Sequence, residues 1–424
     1  MYWGGLRGQE PFWYTADARC AIIGSESVGN INSISDKEAR RRWVVLVVAY
    51  LCLLTYAIML QSVPPVLSLV MAELELSHAQ GGLLMSLFAV PGIIASIPAG
   101  MLADRYGQRK IGIASFSITV AGAAVFALGD SLAVLALGRI VSGIGAVTLW
   151  VLAPQLVAQW FAGREMGLAM GVFTTGMPLG TILSLNFLST LGESAGWRAS
   201  AWLSAGMALV MLIVVASLFT PAPGKKTERL PKAEGLFQGI RLTGTSIWTV
   251  GVAWALFNAA AISLFSFTPD FLTSVGFSVS SAGFFTSAVM WPALVLGLVI
   301  GYVIDKIDRK RTFIVIGGLA VATLVVLVPT ATGWILTIML LIGAGMILVP
   351  TPIFALAPEV VNPERLGLGY GIISTCLNLG IVLGPALVGL IRDVTGSYQA
   401  GYALMAGFAF LVVPTILILR RRQG

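Results

Sequence analysis

The sequence Gly-Met-Leu-Ala-Asp-Arg-Tyr-Gly-Gln-Arg-Lys occupies residues 100–110, and a related sequence, Gly-Tyr-Val-Ile-Asp-Lys-Ile-Asp-Arg-Lys-Arg, occupies residues 301–311. Each stretch lies between two long apolar runs. When the two are superimposed, the first glycine, the aspartate and the last two cations coincide. The pattern predicts two related halves whose short basic turns lie on one side of a membrane, an arrangement typical of transporters and not of soluble enzymes.

The repeat extends beyond these turns. The two turns are 201 residues apart. At that same offset, glycine, serine and proline recur inside apolar segments, as Gly82 and Gly283, Ser86 and Ser287, and Pro91 and Pro292. Residues 167–180 correspond to residues 367–380 at six positions, and Ala153-Pro154-Gln155 corresponds to Ala357-Pro358-Glu359. The sequence therefore predicts two parallel six-helix halves.

The composition requires a bilayer as solvent. Of the residues, 57% are hydrophobic and 11% are charged, whereas an ordinary domain carries about a quarter charged residues. The mean hydropathy is +0.91. Stretches of about 20 apolar residues predict twelve spans, near 43–71, 80–102, 111–129, 132–158, 167–190, 197–219, 245–268, 280–304, 312–330, 333–358, 366–391 and 398–419. We therefore predict an all-α membrane protein.

The charges predict the orientation. If the N-terminus is cytoplasmic, every Lys and Arg except Arg139, Arg198 and Arg392 falls in a cytoplasmic segment. The acidic residues Glu73, Glu75, Asp130, Glu193, Asp270 and Asp393 fall at the opposite ends of spans. We predict a multi-pass protein of the cell membrane with both termini inside. The net charge of +7 is then a topology signal and does not indicate a nucleic-acid partner.

Four regions follow from this map. Residues 1–42 form a predicted cytoplasmic tail without the features of a signal peptide, although a native start further downstream is an alternative. Residues 43–219 and 245–424 form the six-helix halves, the second ending in a short basic tail. Residues 220–244 form a polar cytoplasmic linker, for which a short amphipathic helix lying on the membrane is an alternative. The three cysteines offer no metal-ligand spacing, and we expect no metal or cofactor and a monomer.

Twelve spans in two repeated halves, with the Gly-x-Leu-Ala-Asp-Arg-x-Gly-x-Arg-Lys turn after the second span, closely resemble the major facilitator superfamily from residue 43 onward. Residues 138–145, Gly-Arg-Ile-Val-Ser-Gly-Ile-Gly, are similar to its fourth-helix motif. The resemblance implies a gating turn between the second and third helices. Carried onto this sequence, that turn comprises Gly100, Asp104, Arg105, Gly107, Arg109 and Lys110, and its second copy comprises Gly301, Asp305, Arg309 and Lys310. The second copy departs from the pattern at Asp308, where a glycine is expected.

Two kinds of moving part are predicted. Asp104 would lock the inner side by pairing with cations or with a positive helix N-terminus, and a solvated turn is the alternative. Small residues let helix backbones approach closely where one bundle moves against another, and prolines bend membrane helices, with static packing as the alternative. The predicted packing or hinge positions are Gly143, Gly171, Gly176, Pro178, Gly180, Gly380, Gly384 and Pro385.

Arg139 is the one ionisable residue well inside a predicted span, about 10 Å deep at a rise of ~1.5 Å per residue. Holding it there costs at least a few kcal/mol. Because the core of the spans contains no Asp or Glu, its compensation must be carbonyls, water or a mobile anion. Two readings stay open, a scaffold arginine bonded to neighbouring helices and a cavity cation that attracts an anionic substrate.

Other inward polar and aromatic residues are weaker substrate-binding candidates, because a lone aromatic in a membrane helix more often packs than binds. They are Tyr56, Gln61, Trp150, Trp254, Asn258 and Asn378. His78, the only histidine, is expected in the external loop before the second helix. There it is either a titratable switch or an inert loop residue.

These observations favour a secondary transporter that moves a small solute, with a small organic or inorganic anion as the first choice. No nucleotide-binding loop is present, so an ion or solute gradient, such as a proton gradient, must supply the energy. The alternatives are a proton-coupled exporter of lipophilic compounds, which normally requires an intramembrane carboxylate, and a membrane sensor that does not transport. An enzyme is not expected, because no His, Cys and carboxylate cluster lies at membrane depth.

Overall fold

A computed structural model describes residues 36–161, 166–219, 244–307, 309–361 and 366–419. Within these ranges every regular element is helical. Residues 45–424 form one compact unit, and residues 1–44 form a second unit of which only the start of the first helix is described. The predicted tail and linker fall almost wholly outside the described residues.

Twelve helices carry the fold, several of them in two or more segments. They are α1 (Asp36–Leu60, a 3₁₀ turn Pro64–Val66 and Leu67–Leu74), α2 (His78–Leu87 and Val90–Tyr106), α3 (Gln108–Ala127), α4 (Leu132–Trp160), α5 (Met166–Thr174, Gly176–Leu183, a π-helical turn Ser184–Leu188 and Ser189–Ala195), α6 (Trp197–Leu218), α7 (Thr245–Ser274), α8 (Val279–Ser287, a 3₁₀ turn Ala288–Met290 and Trp291–Ile307), α9 (Lys310–Leu327), α10 (a 3₁₀ turn Thr332–Trp334, Ile335–Met346 and Pro350–Val360), α11 (Leu366–Thr395) and α12 (Tyr398–Leu417). We call α1–α6 the N-half and α7–α12 the C-half.

All twelve predicted spans correspond to helices long and apolar enough to cross a membrane, so the predicted fold class is confirmed. Large apolar side chains such as Ile213 and Phe410 stay exposed on the folded protein. Lipid solvates such surfaces, while the helices satisfy their own backbone groups. The chain is therefore a multi-pass membrane protein.

Because successive spans alternate in direction, their connections alternate between two faces. The face that contains the start of α2 is the predicted external side, and we call it the His78 face. Its connections are residues 75–77, 128–131, 196, 275–278, 328–331 and 396–397. The opposite face contains the start of α3, and we call it the Arg109 face.

Prolines explain where several helices are interrupted. Proline has no N–H to donate to the carbonyl four residues earlier, and its ring crowds that carbonyl. Helix α1 breaks before Pro64 and Pro65, and α2 and α8 break just before Pro91 and Pro292. The last two prolines are partners in the sequence repeat, so the two halves break equivalent helices at equivalent points. Of the two predicted bends, Pro178 follows an interruption of α5 at Thr175, whereas Pro385 lies within an unbroken α11.

Candidate functional site

The guanidinium of Arg139 is enclosed by the N-half. Only 2% of the residue is exposed. Its Nε donates to the carbonyl of Leu84 at 3.0 Å, Nη1 to that of Met59 at 2.9 Å, and Nη2 to that of Leu60 at 3.2 Å. Its Cζ lies 4.5 Å from the centre of the Phe88 ring. All three of its nitrogens therefore have carbonyl acceptors within the protein.

The broken helices provide these acceptors. Pro64 has no N–H for the carbonyl of Leu60, and the interruption of α2 after Leu87 removes the regular helical partner of Leu84. Arg139 supplies the missing donors, so it ties the two breaks to α4. The small cavity beside Arg139 is lined by α1, α3, α4 and α6, and thus lies within the N-half. Of the two readings of Arg139, this geometry favours the scaffold.

A second side-chain donor satisfies another backbone carbonyl at the break in α1. Pro65 leaves the carbonyl of Gln61 without its helical N–H, and the hydroxyl of Ser184 donates to that carbonyl at 2.6 Å. Ser184 begins the π-helical turn of α5. The side chain of Gln61 is 1% exposed, and its Oε1 has no hydrogen-bond partner among the described residues. Gln61 is therefore held inside the N-half with one unused acceptor.

Aromatic pairs lie on equivalent helices of the two halves. Tyr56 of α1 and Trp150 of α4 have ring centres 5.1 Å apart, and Trp254 of α7 and Phe354 of α10 have ring centres 5.4 Å apart. The repeat that matches residues 153–155 with 357–359 also matches Trp150 with Phe354. Phe354 is not among the residues predicted from the sequence, although this repeat pairs it with Trp150.

The remaining candidates are distributed over different contacts. The Nδ2 of Asn258 donates to the carbonyl of Trp254 at 2.8 Å, which places this amide beside the aromatic pair of the C-half. The Nε1 of Trp254 is buried and has no acceptor within the described ranges. Asn378 packs instead against Gly92 of α2, where a Cβ would lie 2.3 Å from its Oδ1. The structure therefore groups Tyr56 with Trp150 and Trp254 with Asn258, and it places Asn378 between α2 and α11.

The predicted gating turns lie on the Arg109 face. Gly107 precedes α3 with φ of +90°, a conformation that glycine adopts without a steric penalty. Arg109 donates to the carbonyl of Ala216 at 2.5 Å, and Lys310 donates to the carboxylate of Glu359 at 2.5 Å. These contacts join helices of one half. Lys110 and Arg309 are exposed.

The side chains of Asp104, Arg105 and Asp305, and the surroundings of Gly100 and Gly301, lie outside what the structure describes. The gate assigned to Asp104 thus stays a prediction.

The predicted small residues do provide close contacts between helices. A Cβ on Gly143 would lie 2.2 Å from the carbonyl oxygen of Phe88, and one on Gly180 would lie 2.6 Å from that of Leu54. A Cβ on Gly380 would lie 2.1 Å from a carbonyl oxygen of α7, and a Cβ on Gly384 would lie 2.4 Å from another. Gly176 is also buried, whereas Gly171 is partly exposed. That helices move against each other at these glycines stays a prediction.

Two of the contacts between the halves at the His78 face are related by the repeat. In the first, which we call the α2/α11 seam, a Cβ on Gly82 would lie 2.2 Å from the carbonyl oxygen of Pro385, and one on Gly389 would lie 2.2 Å from that of His78. The hydroxyl of Ser86 donates across the seam to the carbonyl of Val382 at 2.6 Å. Backbones can approach this closely only where side chains are absent.

The second contact, the α5/α8 seam, repeats the first. A Cβ on Gly283 would lie 2.0 Å from the carbonyl oxygen of Leu185. Gly82 and Gly283 are repeat partners 201 residues apart, and Leu185 and Pro385 are 200 residues apart. The π-helical turn of α5 contains Leu185, and such turns are frequent at functional sites. The two seams are therefore related by the internal symmetry of the chain.

A carboxylate caps a helix at the end of each seam. Asp393 of α11 accepts from the backbone N–H groups of His78 and Ala79 at 2.9 and 2.7 Å. Glu193 of α5 accepts from the backbone N–H of Ser280 at 2.8 Å and from its hydroxyl. In both cases a carboxylate of one half satisfies the unpaired N–H groups at the N-terminus of a helix in the other half. The protein is thus closed at the His78 face.

His78 also brings its side chain into the α2/α11 seam. Its Nδ1 lies 3.1 Å from Oδ1 of Asp393, and its Nε2 lies 3.4 Å from Oδ2 of Asp270 in α7. The hydroxyl of Tyr398 donates to Asp270 at 2.8 Å. The expectation of a loop position was wrong, because His78 is the first residue of α2. Asp270 is only 5% exposed, and sequence reasoning did not group it with His78.

Comparison with known proteins gives a consistent result. The family model described as the Major Facilitator Superfamily matches residues 49–376 and 255–424. The human lysosomal dipeptide transporter MFSD1 is 23% identical over 376 residues, covering 83% of this chain and 80% of that protein. The hexuronate transporter of Bacillus subtilis (strain 168) is 24% identical over 360 residues, covering 80% of this chain and 85% of that protein. A third relative, also from Bacillus subtilis (strain 168), carries the name "Probable galactarate/D-glucarate transporter GudP" and is 24% identical over 393 residues, covering 82% of this chain and 85% of that protein.

Solved structures share the fold. A bacterial homologue of the human lysosomal transporter Spinster, inward-facing and unoccupied, has a TM-score of 0.71 and 18% identity, covering 91% of this chain and 99% of that chain. The nucleoside transporter NupG has a TM-score of 0.75 and 12% identity, covering 90% of this chain and 100% of that chain. At such identities the likeness shows the common architecture alone.

Proposed function

We propose that this chain, which belongs to the Major Facilitator Superfamily of transporters, moves a small organic solute by alternating closure of its two faces. One observation carries the proposal. The α2/α11 and α5/α8 seams close the His78 face with equivalent residues of the two halves, so a single rocking movement would open both. No catalytic role is needed to account for the site.

The aromatic pairs are the proposed substrate surface. Tyr56 with Trp150 and Trp254 with Phe354 belong to equivalent helices of opposite halves, and Phe354 is 37% exposed. Flat aromatic surfaces bind the apolar faces of small organic molecules, and a few polar groups fix their orientation. The unpaired Nε1–H of Trp254 and the amide of Asn258 supply such groups in the C-half.

Organic acids are the first substrate class to test. Two of the relatives carry names that denote sugar acids, which agrees with the small-anion hypothesis from the sequence. The way an anion would be held must be reconsidered, because each of the three nitrogens of Arg139 already donates to a carbonyl. Recognition then falls to neutral donors such as the indole N–H of Trp254.

A proton-coupled exporter of lipophilic compounds is the second candidate. Its weakness in the sequence was the lack of an intramembrane carboxylate. Asp270 now provides a buried carboxylate close to the end of a span, and it lies beside a histidine. The aromatic pairs would suit a lipophilic substrate as well as an organic acid.

The test is uptake into proteoliposomes by the purified protein, with a hexuronate, galactarate, a dipeptide and a lipophilic cation as substrates. We expect saturable uptake of an organic acid. Uptake of the lipophilic cation alone would favour the exporter, and no uptake of any class together with specific binding would favour a sensor.

Trp254→Phe tests the substrate surface, because it removes one N–H and keeps an aromatic ring. Loss of one hydrogen bond to a charged group should weaken binding by about tenfold or more, measured by substrate-induced thermal stabilisation. Trp202→Phe is the matched control, since Trp202 is 47% exposed on the surface of α6. Equal effects of the two substitutions would refute the assignment.

A further inference from the structure

His78 lies between two carboxylates that both belong to the other half. Its Nδ1 faces Asp393 of α11 at 3.1 Å, and its Nε2 faces Asp270 of α7 at 3.4 Å. The imidazole also meets the ring of Tyr398 of α12 edge-on, with ring centres 5.8 Å apart. Opening the His78 face would separate α2 from α7, α11 and α12, and would therefore remove these partners together.

The geometry suits the protonated imidazole. A neutral imidazole carries one N–H, whereas the imidazolium donates from both ring nitrogens. The hydroxyl of Tyr398 also lies 3.4 Å from Nε2 of His78, but its single hydrogen is donated to Asp270 at the shorter distance of 2.8 Å. In the neutral form, one ring nitrogen would therefore present a lone pair to a carboxylate. Both contacts are favourable only when His78 holds a proton.

The charges of the cluster balance in that state. Arg392 precedes Asp393 on α11, and its Cζ lies 4.2 Å from the centre of the Tyr398 ring. With His78 protonated, the cluster around Tyr398 contains two cations, His78 and Arg392, and two carboxylates, Asp270 and Asp393. Without the proton, the cluster carries one excess negative charge where Asp270 is buried, which is costly.

The α5/α8 seam provides an internal control. Glu193 caps α8 as Asp393 caps α2. Yet position 280, the repeat partner of Ala79, is a serine, and the residue corresponding to His78 is Val279. The two seams share the carboxylate cap, and the imidazole belongs to the first seam alone.

We infer that His78, with Asp270 and Asp393, forms a proton-binding site whose occupancy favours the closed His78 face, so that the pH on this side of the membrane regulates its closure. The inference rests on the alternating access proposed above. The sign follows from the contacts. The closed state holds the proton between two carboxylates and the open state does not, so closure weakens as pH rises and His78 loses its proton.

The experiment measures closure directly. Spin labels are placed at Asp130→Cys in the N-half and Thr330→Cys in the C-half, both exposed positions on the His78 face, with Cys20, Cys52 and Cys376 replaced by alanine. Double electron–electron resonance in nanodiscs gives the ratio of closed to open protein between about pH 5.5 and 8.5, the range in which histidine commonly titrates. We expect the closed fraction to fall as pH rises, by up to about tenfold in the ratio per pH unit for one linked proton.

Two variants decide between the outcomes. In His78→Gln, the ratio of closed to open protein should lose most of its dependence on pH. In Glu193→Gln, the ratio should shift toward the open state and should keep its dependence on pH. The proton site is refuted, while alternating access stands, by either of two results. One is that His78→Gln keeps the parental change of the closed-to-open ratio with pH. The other is that the parent shows a closed and an open distance whose relative populations do not depend on pH. A single unchanged distance in the parent and both variants at every pH would refute alternating access itself, and the inference with it.

Discussion

Arg139→Gln tests the assignment of this residue to the scaffold. In the parent, Arg139 donates to three buried carbonyls, those of Met59, Leu60 and Leu84. A glutamine amide is shorter and has one NH₂ group. The carbonyl of Met59 keeps the hydroxyl of Ser62 as a donor at 2.9 Å, so we expect the substitution to leave one or both of the Leu60 and Leu84 carbonyls unsatisfied. Each unsatisfied buried acceptor costs about 1–3 kcal/mol, so one or two of them give a loss of about 1–6 kcal/mol. That is a large part of the 5–15 kcal/mol typical of a folded protein.

The cysteines provide the assay. Cys52 of α1 and Cys376 of α11 are free and buried, so a thiol-reactive dye should label them as the protein unfolds on heating. We expect Arg139→Gln to melt well below the parent. Arg139→Lys should lie between them, because an ammonium can donate to fewer carbonyls than the guanidinium fork. Addition of an anionic substrate to Arg139→Gln should not restore the parental melting temperature.

Arg198→Gln is the matched control. Arg198 pairs with Glu73 near the His78 face, and its side chain is 40% exposed. Exposed pairs of this kind contribute about 0–1 kcal/mol, so this substitution should change melting little. If Arg139→Gln melts like the parent and loses anion binding, the scaffold argument fails and Arg139 is a substrate cation.

Two further predictions concern topology and gating. A topology reporter fused after Gly424 or within residues 224–232 should give a cytoplasmic signal, because the Lys and Arg distribution sets the orientation. An external signal at either site would overturn the assignment of faces. Asp104→Asn should reduce the uptake rate far more than the amount of folded protein, and Asp305→Asn should reduce it less because the second turn has a degraded motif. Equal effects at the two aspartates, or none at either, would count against an asymmetric latch on the Arg109 face.

Much of the molecule could be predicted from the sequence. Length and apolar composition are local properties, so twelve spans could be read directly from the chain. The repeat also anticipated the symmetry of the seams, since Gly82 and Gly283 were already paired by their offset. Neighbouring parts of the repeat pair Trp150 with Phe354 at an offset of 204 residues and Glu193 with Asp393 at an offset of 200. Neither pairing predicts a contact from the sequence, because a large aromatic or a terminal carboxylate does not by itself indicate one.

Tertiary structure alone decided the roles of the polar residues. The depth of Arg139 could be estimated from its position in a span, but its partners depended on breaks in two other helices that leave carbonyls facing it. His78 and Asp393 are 315 positions apart, and neither lies in a motif that marks it. The apolar pattern determines which segments enter the membrane, because burial in lipid depends on each segment by itself. Which donor meets which acceptor depends on where the other helices pack, and a linear sequence does not contain those positions.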